Sequence, residues 1–320
     1  MHKTAFVFPG QGSQQAGMGR DLLVTRPDLV DSYYRPADEI LGFPLSRLCW
    51  EGPAEALRDT AVTQPAVFLT SLAALDVLRA RGVTPDVVAG HSLGEYAALV
   101  CAGVLDWADA LRLVRLRGQL MAGVNERVPG RMAAVMGLDL AHVERICAAV
   151  ASATGQVVEV ANDNGPAQVV VSGQDAAVDE VVRRAREAGS RRVVALHVGA
   201  PFHCRLMSDV EAEFAAALTG VRFRDPVINV VSGVTAEPVT TAEDALACLR
   251  RQLAGRVRWT GAVTRMTDMG VVRFVEVGPG RVLGGLCRRI APGTQVHSTH
   301  DASALALAVD AARAEADTAA

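Results

Sequence analysis

Short apolar runs alternate with longer amphipathic stretches along most of the chain. Four runs predict buried strands of one main sheet, at residues 5–8, 85–90, 227–232 and 271–277. Longer stretches predict helices over residues 64–81, 94–102 and 106–121, with residues 20–41 helical in parts. Pro65 is expected in the first turn of its helix, where proline is tolerated. Strands that alternate with helices predict an α/β fold with a parallel sheet.

The middle of the chain has its own order of elements. The pattern predicts strands over residues 131–138, 157–161, 168–172 and 192–196, with helices over residues 140–153 and 175–188. This order, β-α-β-β-α-β, is the split pattern of a ferredoxin-like unit. We therefore expect residues 129–198 to form a small subdomain inserted into a larger α/β domain of residues 1–128 and 199–320. Residues 301–320 are expected to be either a surface helix or a frayed tail.

The amino-acid composition argues against several classes of function. Of the 320 residues, 50% are hydrophobic and 21% are charged, with a mean hydropathy of +0.22, so the chain is expected to bury a sizeable core. A net charge of -3 argues against a nucleic-acid binder. Lys3 is the only lysine, which argues against a catalytic or phosphate-binding lysine elsewhere in the chain.

The cysteines and the N-terminal segment indicate the compartment. Six cysteines are scattered singly without a C-x-x-C pair, which favours reduced packing residues in the cytoplasm and argues against a metal site. The apolar run near the N-terminus is too short for a signal peptide. No stretch approaches 18 uninterrupted apolar residues, so we expect no membrane span.

Residues 90–94 read Gly-His-Ser-Leu-Gly and match the pattern G-x-S-x-G. A predicted strand precedes the motif and a predicted helix follows it, which is the context of a nucleophile elbow. There Ser92 would stand exposed on a strained turn, and the N-terminus of the following helix would face an oxyanion. The alternative is a glycine-rich turn with a capping serine.

A serine nucleophile needs a base, and two histidines are candidates. His203 lies in a loop that is entered through Pro201, whereas His197 ends an apolar strand, where a core histidine is the more ordinary interpretation. Asp209 and Glu276 are possible orienters of the imidazole, as is a backbone or amide carbonyl.

Two further segments are ambiguous on their own. Residues 10–13 are rich in glycine but do not match a phosphate-binding loop, so they are better explained as a turn that places Gln11 near a site. Arg117 lies in an amphipathic helix, where a surface arginine is the ordinary interpretation. On the buried face it would need a carboxylate or phosphate partner.

Several motifs in a fixed order resemble one family. They are Phe-Val-Phe-Pro-Gly-Gln-Gly-Ser-Gln at residues 6–14, Thr-Gln-Pro-Ala at 63–66, Gly-His-Ser-Leu-Gly-Glu-Tyr at 90–96, Arg-Leu-Arg-Gly at 115–118, Pro-Phe-His at 201–203 and Glu-Val-Gly-Pro-Gly at 276–280. Over about 280 residues the sequence resembles the malonyl-CoA:acyl carrier protein transacylases and the related acyltransferases of polyketide synthases. The resemblance implies an α/β-hydrolase-like core with a parallel sheet and an inserted ferredoxin-like subdomain.

The resemblance also implies roles for individual residues. Ser92 would be the nucleophile and His203 the base, while Gln11 and the Leu93 N–H would form the oxyanion hole. Arg117 would hold the malonyl carboxylate, and the carbonyl of Gln252 would orient the histidine. The acyl-site residues would be Phe202, Asn162, Asn164 and His91.

The implied reaction is a ping-pong transfer of a malonyl group from coenzyme A to the phosphopantetheine thiol of an acyl carrier protein, with no permanently bound cofactor. Phe202 favours malonyl over a branched acyl group. Two alternatives remain: a polyketide-pathway acyltransferase that moves another acyl group to or between carrier proteins, and an acyl-carrier-protein thioesterase. A non-catalytic binding module is a third class.

The chain is expected to be a cytoplasmic monomer. Because acyl carrier proteins are typically acidic, Arg288 and Arg289 are candidate docking residues. Other arginines of the same candidate patch are residues 183, 184, 186, 191, 192 and 281.

Overall fold

The computed structural model describes residues 3–196 and 198–319, and for residues 314–319 it describes the backbone alone. His197, one of the two candidate bases, lies outside the described residues. The protein has a mixed α/β fold with two sheets, so the predicted α/β class is confirmed.

Strands and α-helices alternate along most of the described chain. The strands are β1 (Lys3–Phe8), β2 (Val87–Gly90), β3 (Gly130–Met136), β4 (Val158–Asp163), β5 (Gln168–Gln174), β6 (Arg192–Leu196), β7 (Asn229–Val231), β8 (Pro238–Val239), β9 (Val257–Arg258), β10 (Val271–Glu276) and β11 (Gln295–Ser298). The helices are α1 (Leu22–Thr25), α2 (Arg35–Leu41), α3 (Leu45–Glu51), α4 (Thr60–Ala80), α5 (Gly94–Cys101), α6 (Trp107–Arg127), α7 (Leu140–Thr154), α8 (Asp175–Glu187), α9 (Ser208–Thr219), α10 (Ala242–Arg250), α11 (Trp259–Asp268), α12 (Val282–Ile290) and α13 (Ala302–Ala319).

The large sheet has the strand order β11-β10-β1-β2-β7-β8. Its strands run parallel except β8, which is antiparallel to β7. In the register of β1 with β2, Phe8 lies opposite Gly90, so both strands end at the same edge. The loop that contains Gln11 and the turn that contains Ser92 therefore leave the sheet side by side.

Helix α4 begins four residues earlier than predicted, because Asp59 caps it by accepting a hydrogen bond from the Ala61 N–H at 2.9 Å. Pro65 consequently lies inside the helix and not in its first turn, which corrects the prediction. A proline there leaves the carbonyl four residues earlier without its helical donor. Arg115 Nη1 donates to that oxygen of Ala61 at 2.5 Å, and this satisfies the backbone at the proline.

Helix α4 is also long and apolar enough to cross a membrane, with a mean hydropathy of 1.5 in its most apolar window. In the structure 89% of that window is buried inside the protein, where the helix packs against α6 and the main core. Its apolar composition is explained by this burial.

The small sheet has the order β6-β3-β5-β4-β9. The predicted order β-α-β-β-α-β is observed from β3 to β6. Alternate residues of β3 face two cores: Ala133 and Val135 pack with α7 and α8, whereas Met132 and Ala134 pack into the main core. The two-residue strand β9, from the later part of the chain, pairs with β4 and was not predicted.

The last described segment is helix α13, so the predicted surface helix is confirmed over the alternative of a frayed tail. Leu305, Ala308 and Val309 are buried in the main core. Strand β11, which precedes α13 and forms one edge of the large sheet, was not predicted.

Candidate active site

Ser92 lies on a sharp turn between β2 and α5, as the G-x-S-x-G motif predicts. Its φ of 54° is in the left-handed region, which is costly for a residue with a Cβ. The flanking glycines are required by close packing. A Cβ on Gly90 would lie 2.0 Å from the Glu95 nitrogen, and a Cβ on Gly94 would lie 2.0 Å from the Phe8 oxygen. The turn therefore holds the serine side chain out toward solvent-accessible space.

His203 contacts the serine directly. Its Nε2 lies 2.7 Å from Ser92 Oγ, and its Nδ1 lies 3.0 Å from the backbone oxygens of both Gln252 and Gly255. Because carbonyl oxygens only accept hydrogen bonds, the Nδ1 carries the proton and Nε2 accepts from the serine hydroxyl. Burial, the Arg117 cation and His91 together lower the pKa of His203 to about 3, which keeps the imidazole neutral.

Neither carboxylate proposed as an orienter reaches this histidine. Glu276 is the last residue of β10, and its buried side chain accepts hydrogen bonds from the Leu283 and Gly284 nitrogens of α12 at 3.1 and 2.7 Å. Asp209 is exposed on α9. The remaining alternative, a backbone carbonyl, is what the structure contains.

Arg117 is buried, with 1% of its surface exposed, so the interpretation as a surface arginine is wrong. Its guanidinium donates to Ser92 Oγ at 2.9 Å, Gln64 Oε1 at 2.8 Å and Gln252 Oε1 at 3.2 Å. These bonds use three of its five N–H groups. Gln64 was not singled out as a site residue, although its motif was noted.

Gln11 and Leu93 line the same cavity as the serine. The side chain of Gln11 donates to Thr60 Oγ1 at 3.1 Å. The backbone N–H groups of Gln11 and Leu93 make no hydrogen bond to another described residue. Two free donors beside a serine hydroxyl are suited to an oxyanion.

The cavity lies between the small sheet and the large sheet, and its volume is about 150 Å³. We call four residues the floor of the cavity: Ser92, His203, Arg117 and Gln252. The first three line the cavity, and Gln252 is hydrogen-bonded to Arg117 and His203. The walls are largely apolar and include residues that the sequence did not single out, namely Met121, Met132, Val170, Leu196, Val198 and Leu286.

The remaining predicted acyl-site residues also line this cavity. Phe202 is 5% exposed and Asn162 is 6% exposed. His91 Nε2 lies 2.8 Å from Asn164 Oδ1, and the His91 ring packs edge-on against Trp259 at 5.5 Å. Burial lowers the pKa of His91, so a neutral ring donates to the Asn164 oxygen and directs the amide NH₂ group of Asn164 elsewhere.

The two candidate docking arginines are exposed in the last turn of α12. Arg288 Nη2 donates back to the Val296 oxygen at 2.9 Å, whereas Arg289 Nη2 reaches Gln168 Oε1 of the small sheet at 2.8 Å. Arg289 also lines a groove with Arg191 and Arg281, which we call the mouth groove.

The mouth groove shares Val282 and Leu286 with the active-site cavity. The predicted patch does not extend evenly over α8, because Arg183 and Arg184 form ion pairs with glutamates of their own helix.

All six cysteines are buried and unpaired. Burial raises the pKa of Cys49 and of Cys147 to about 12, so neither thiol is an available nucleophile. Among the described residues, no group of three or more His, Cys, Asp or Glu side chains is placed to hold a metal ion.

Comparison with known proteins agrees with this geometry. The profile of the acyl transferase domain matches residues 5–303. The chain belongs to the acyl transferase family. It is 42% identical over 303 residues to the malonyl CoA-acyl carrier protein transacylase of Haemophilus influenzae, covering 94% of this chain and 96% of that one. The family that the sequence motifs indicated is therefore confirmed.

Solved structures resemble this acyl transferase closely. A crystal structure of an acyl carrier protein S-malonyltransferase from Vibrio cholerae aligns with a TM-score of 0.90 at 41% identity, over 96% of this chain and 99% of that one. A type II PKS acyl-carrier protein in complex with its malonyl-transacylase aligns with a TM-score of 0.92 at 40% identity, over 97% of this chain and 99% of that one.

Proposed function

We propose that this acyl transferase moves a malonyl group from coenzyme A to the phosphopantetheine thiol of an acyl carrier protein, through an ester on Ser92. One observation carries the proposal: Ser92 Oγ lies 2.7 Å from a neutral histidine nitrogen and 2.9 Å from a buried arginine. The first contact activates a nucleophile, and the second places a cation where an acyl carboxylate would lie. The names of the relatives support the same substrate.

In the first half-reaction, His203 Nε2 takes the hydroxyl proton as Ser92 Oγ attacks the thioester carbonyl. The N–H groups of Gln11 and Leu93 donate to the oxyanion that forms, and each such donor contributes about 2.7–4 kcal/mol in comparable sites. The carbon–sulfur bond then breaks, and His203 returns the proton to the leaving thiolate of coenzyme A. The malonyl ester remains on Ser92.

Arg117 holds the free carboxylate of the malonyl group during these steps. Gln64, Gln252 and Ser92 occupy three of its five N–H groups and fix the plane of the guanidinium. The other two are available for a bidentate contact with a carboxylate. A neutral acyl group of similar size would lack this contact and would bind more weakly.

In the second half-reaction, the carrier thiol loses its proton to His203 Nε2 and attacks the ester, so that the malonyl group leaves on sulfur and Ser92 recovers its proton. Water would attack the same ester and make the protein a thioesterase. The apolar walls disfavour water beside the ester. Phe202 leaves little room for a methyl branch, a preference of about 1–3 kcal/mol.

The carrier docks over the mouth groove, with Arg289 as its main contact and Arg288 beside it. The exposed charge of Arg289 and the 51% exposure of Val282 at the shared rim support this position. An acidic carrier protein would meet complementary charge there. The phosphopantetheine arm would then enter the cavity past Asn162 and Asn164.

The same proposal includes a finer description of the fold. The parallel large sheet supports an α/β-hydrolase-like core formed by residues 1–128 and 199–320. Within the small sheet the strands of the β-α-β-β-α-β unit lie in the order fourth, first, third, second, which supports a ferredoxin-like subdomain of residues 129–198. The buried, unpaired cysteines support a reducing, cytoplasmic location. We expect a monomer, which sedimentation would test.

Intact-mass spectrometry after incubation with a panel of acyl-CoA donors tests the function. We expect a malonyl adduct on the wild-type protein, none on Ser92→Ala, and transfer to a holo carrier protein faster than release to water in a single turnover. Acylation by another donor but not by malonyl-CoA would contradict the substrate. Release to water that outpaces transfer would favour the thioesterase instead.

A further inference from the structure

Glu95 is a buried acid directly behind the nucleophile, and the reaction described above does not use it. It lies in the first turn of α5, with 1% of its surface exposed. A carboxylate taken out of water is costly unless it is hydrogen-bonded and paired with a cation. Its surroundings therefore need an explanation.

The neighbours of Glu95 are hydrogen-bond donors. Gln252 Nε2 donates to its Oε2 at 2.6 Å, and the Ser232 hydroxyl and the Gly233 N–H also donate to the carboxylate. The Ser232 oxygen already accepts from the Val234 N–H at 3.0 Å, so its own hydrogen is free to point at Glu95. Burial raises the pKa of Glu95 above its ordinary value overall, although these donors and the Arg117 charge oppose the rise. A shell of donors alone favours the ionised carboxylate.

Gln252 connects this carboxylate to the substrate-binding arginine. Its Nε2 donates to Glu95 and to the Ser92 backbone oxygen at 3.0 Å, while its Oε1 accepts from Arg117 Nε at 3.2 Å. If the amide were reversed, its oxygen would face the carboxylate and its NH₂ group would face the guanidinium. The carboxylate therefore selects one orientation of the amide, and that orientation holds Arg117.

We propose that Glu95 is the counter-charge of Arg117, acting through the Gln252 amide as a positioning residue for the acyl carboxylate. Both charges are 1% exposed, and the amide bridges them. Before the acyl group binds, the pair keeps the buried guanidinium neutralised and in place. When the acyl carboxylate binds, it shares one cation with Glu95, so Glu95 moderates the preference for an anionic acyl group. This consequence rests on the proposed function; the charge pairing itself does not.

A double-mutant cycle in thermal unfolding tests the pairing without any substrate. We expect Glu95→Gln to lower the Tm because it leaves Arg117 buried and unpaired, and Arg117→Met to lower it because it leaves Glu95 unpaired. The double variant should melt higher than Glu95→Gln alone. Losses that simply add would overturn the pairing. If Glu95→Gln does not fold, recovery of folded protein in the double variant supports the proposal. If Arg117→Met folds and the double variant does not, the proposal is wrong.

Donor selectivity tests the effect on substrate. In single-turnover acylation of Ser92, the ratio of the malonyl-CoA rate to the acetyl-CoA rate, measured below saturation, should rise about tenfold in Glu95→Gln, equivalent to about 1.4 kcal/mol. Glu51→Gln, which removes an exposed carboxylate paired with Arg47, is the matched control and should leave the ratio unchanged. An unchanged or lower ratio in Glu95→Gln overturns the moderating role. Failure of malonyl acylation in the wild type would instead count against the proposed function, while the unfolding cycle would still decide the pairing.

Discussion

The floor of the cavity and its mouth groove differ in the kind of contact that their residues make: the floor is a buried hydrogen-bond network, and the mouth groove carries exposed charges. On the floor, Ser92, His203, Arg117 and Gln252 form one network in which each donor faces an acceptor at 2.7–3.2 Å. At the mouth groove, Arg289 makes one bond to a neighbouring side chain and Val282 is half exposed. Buried polar groups are costly unless satisfied, whereas exposed charges are screened by solvent. Substitutions on the floor should therefore lower the reaction rate strongly, whereas substitutions at the mouth groove should change the affinity for the carrier protein only modestly.

The largest effect should come from the nucleophile. Ser92→Ala is expected to lower the transfer rate about 10⁶-fold, the loss seen when a serine nucleophile that acts together with its base is removed. Radiolabelled malonyl transfer measures the rate, and unfolding temperature checks the fold. Ser208→Ala, on the exposed start of α9, is the control. Substantial activity in Ser92→Ala would mean that the floor is not the reacting centre.

Removing the cation should have the next largest effect. Arg117→Met is expected to lower acylation by malonyl-CoA about 100-fold or more and acylation by acetyl-CoA by much less, because only malonyl offers a carboxylate to pair. Single-turnover acylation with the two donors measures the difference. Equal losses with both donors would indicate that Arg117 acts by supporting Ser92 alone.

At the mouth groove the effect should be smaller and confined to the carrier. Arg289→Glu is expected to raise KM for the carrier protein about tenfold and to weaken the dependence of KM on salt, while acylation by malonyl-CoA stays unchanged. Arg288→Glu is the adjacent comparison, since Arg288 bonds back to Val296 and does not line the groove. A larger effect from Arg288→Glu, or a loss of acylation, would contradict the proposed docking position.

The smallest effect is a pH profile that stays flat. The folded pKa of His203 is lowered to about 3, so the base remains neutral well below its ordinary pKa near 6.5. We expect single-turnover acylation at pH 5.5 to be within about twofold of that at pH 7.5, whereas an ordinary histidine would lose about tenfold. A tenfold loss would show that the imidazole is less shielded than its burial indicates.

The lowered pKa of His203 protects the acylation rate at low pH but reduces the stability of the fold there. Between about pH 6.5 and 3 the unfolded chain binds a proton on His203 that the folded chain does not bind, so this group destabilises the fold as the pH falls.

Local sequence patterns predicted an element well where its structure depends on residues within the same short segment. The elbow at residues 90–94 needs only a strand, two glycines and a helix, and all lie within a few residues. The order from β3 to β6 follows from residues that alternate or repeat within each segment. The start of α4 was mispredicted because Pro65 was taken as a boundary. Its cost inside a helix is offset by Arg115, 54 residues away from Ala61 along the chain.

The site residues divide in the same way. The motifs pointed to Ser92, His203 and Arg117, and the resemblance to a family supplied their roles. Nothing in the local sequence indicated that Arg117 would be buried or that Gln64 would hold it. The short strand β9 and the edge strand β11 were missed for a similar reason, since each is stabilised by its partner strand more than by its own apolar pattern.

The sequence by itself determined the α/β class, the nucleophile turn and the family, because these depend on patterns carried within short segments. The tertiary structure alone decided that the Gly255 carbonyl joins that of Gln252 in orienting His203, and which side chains hold Arg117. It also brought Glu95 to Gln252, 157 residues later in the chain. The physical reason is that buried charges and amides must find complementary partners wherever packing brings them. Those partners come from separate elements, whose meeting no local pattern records.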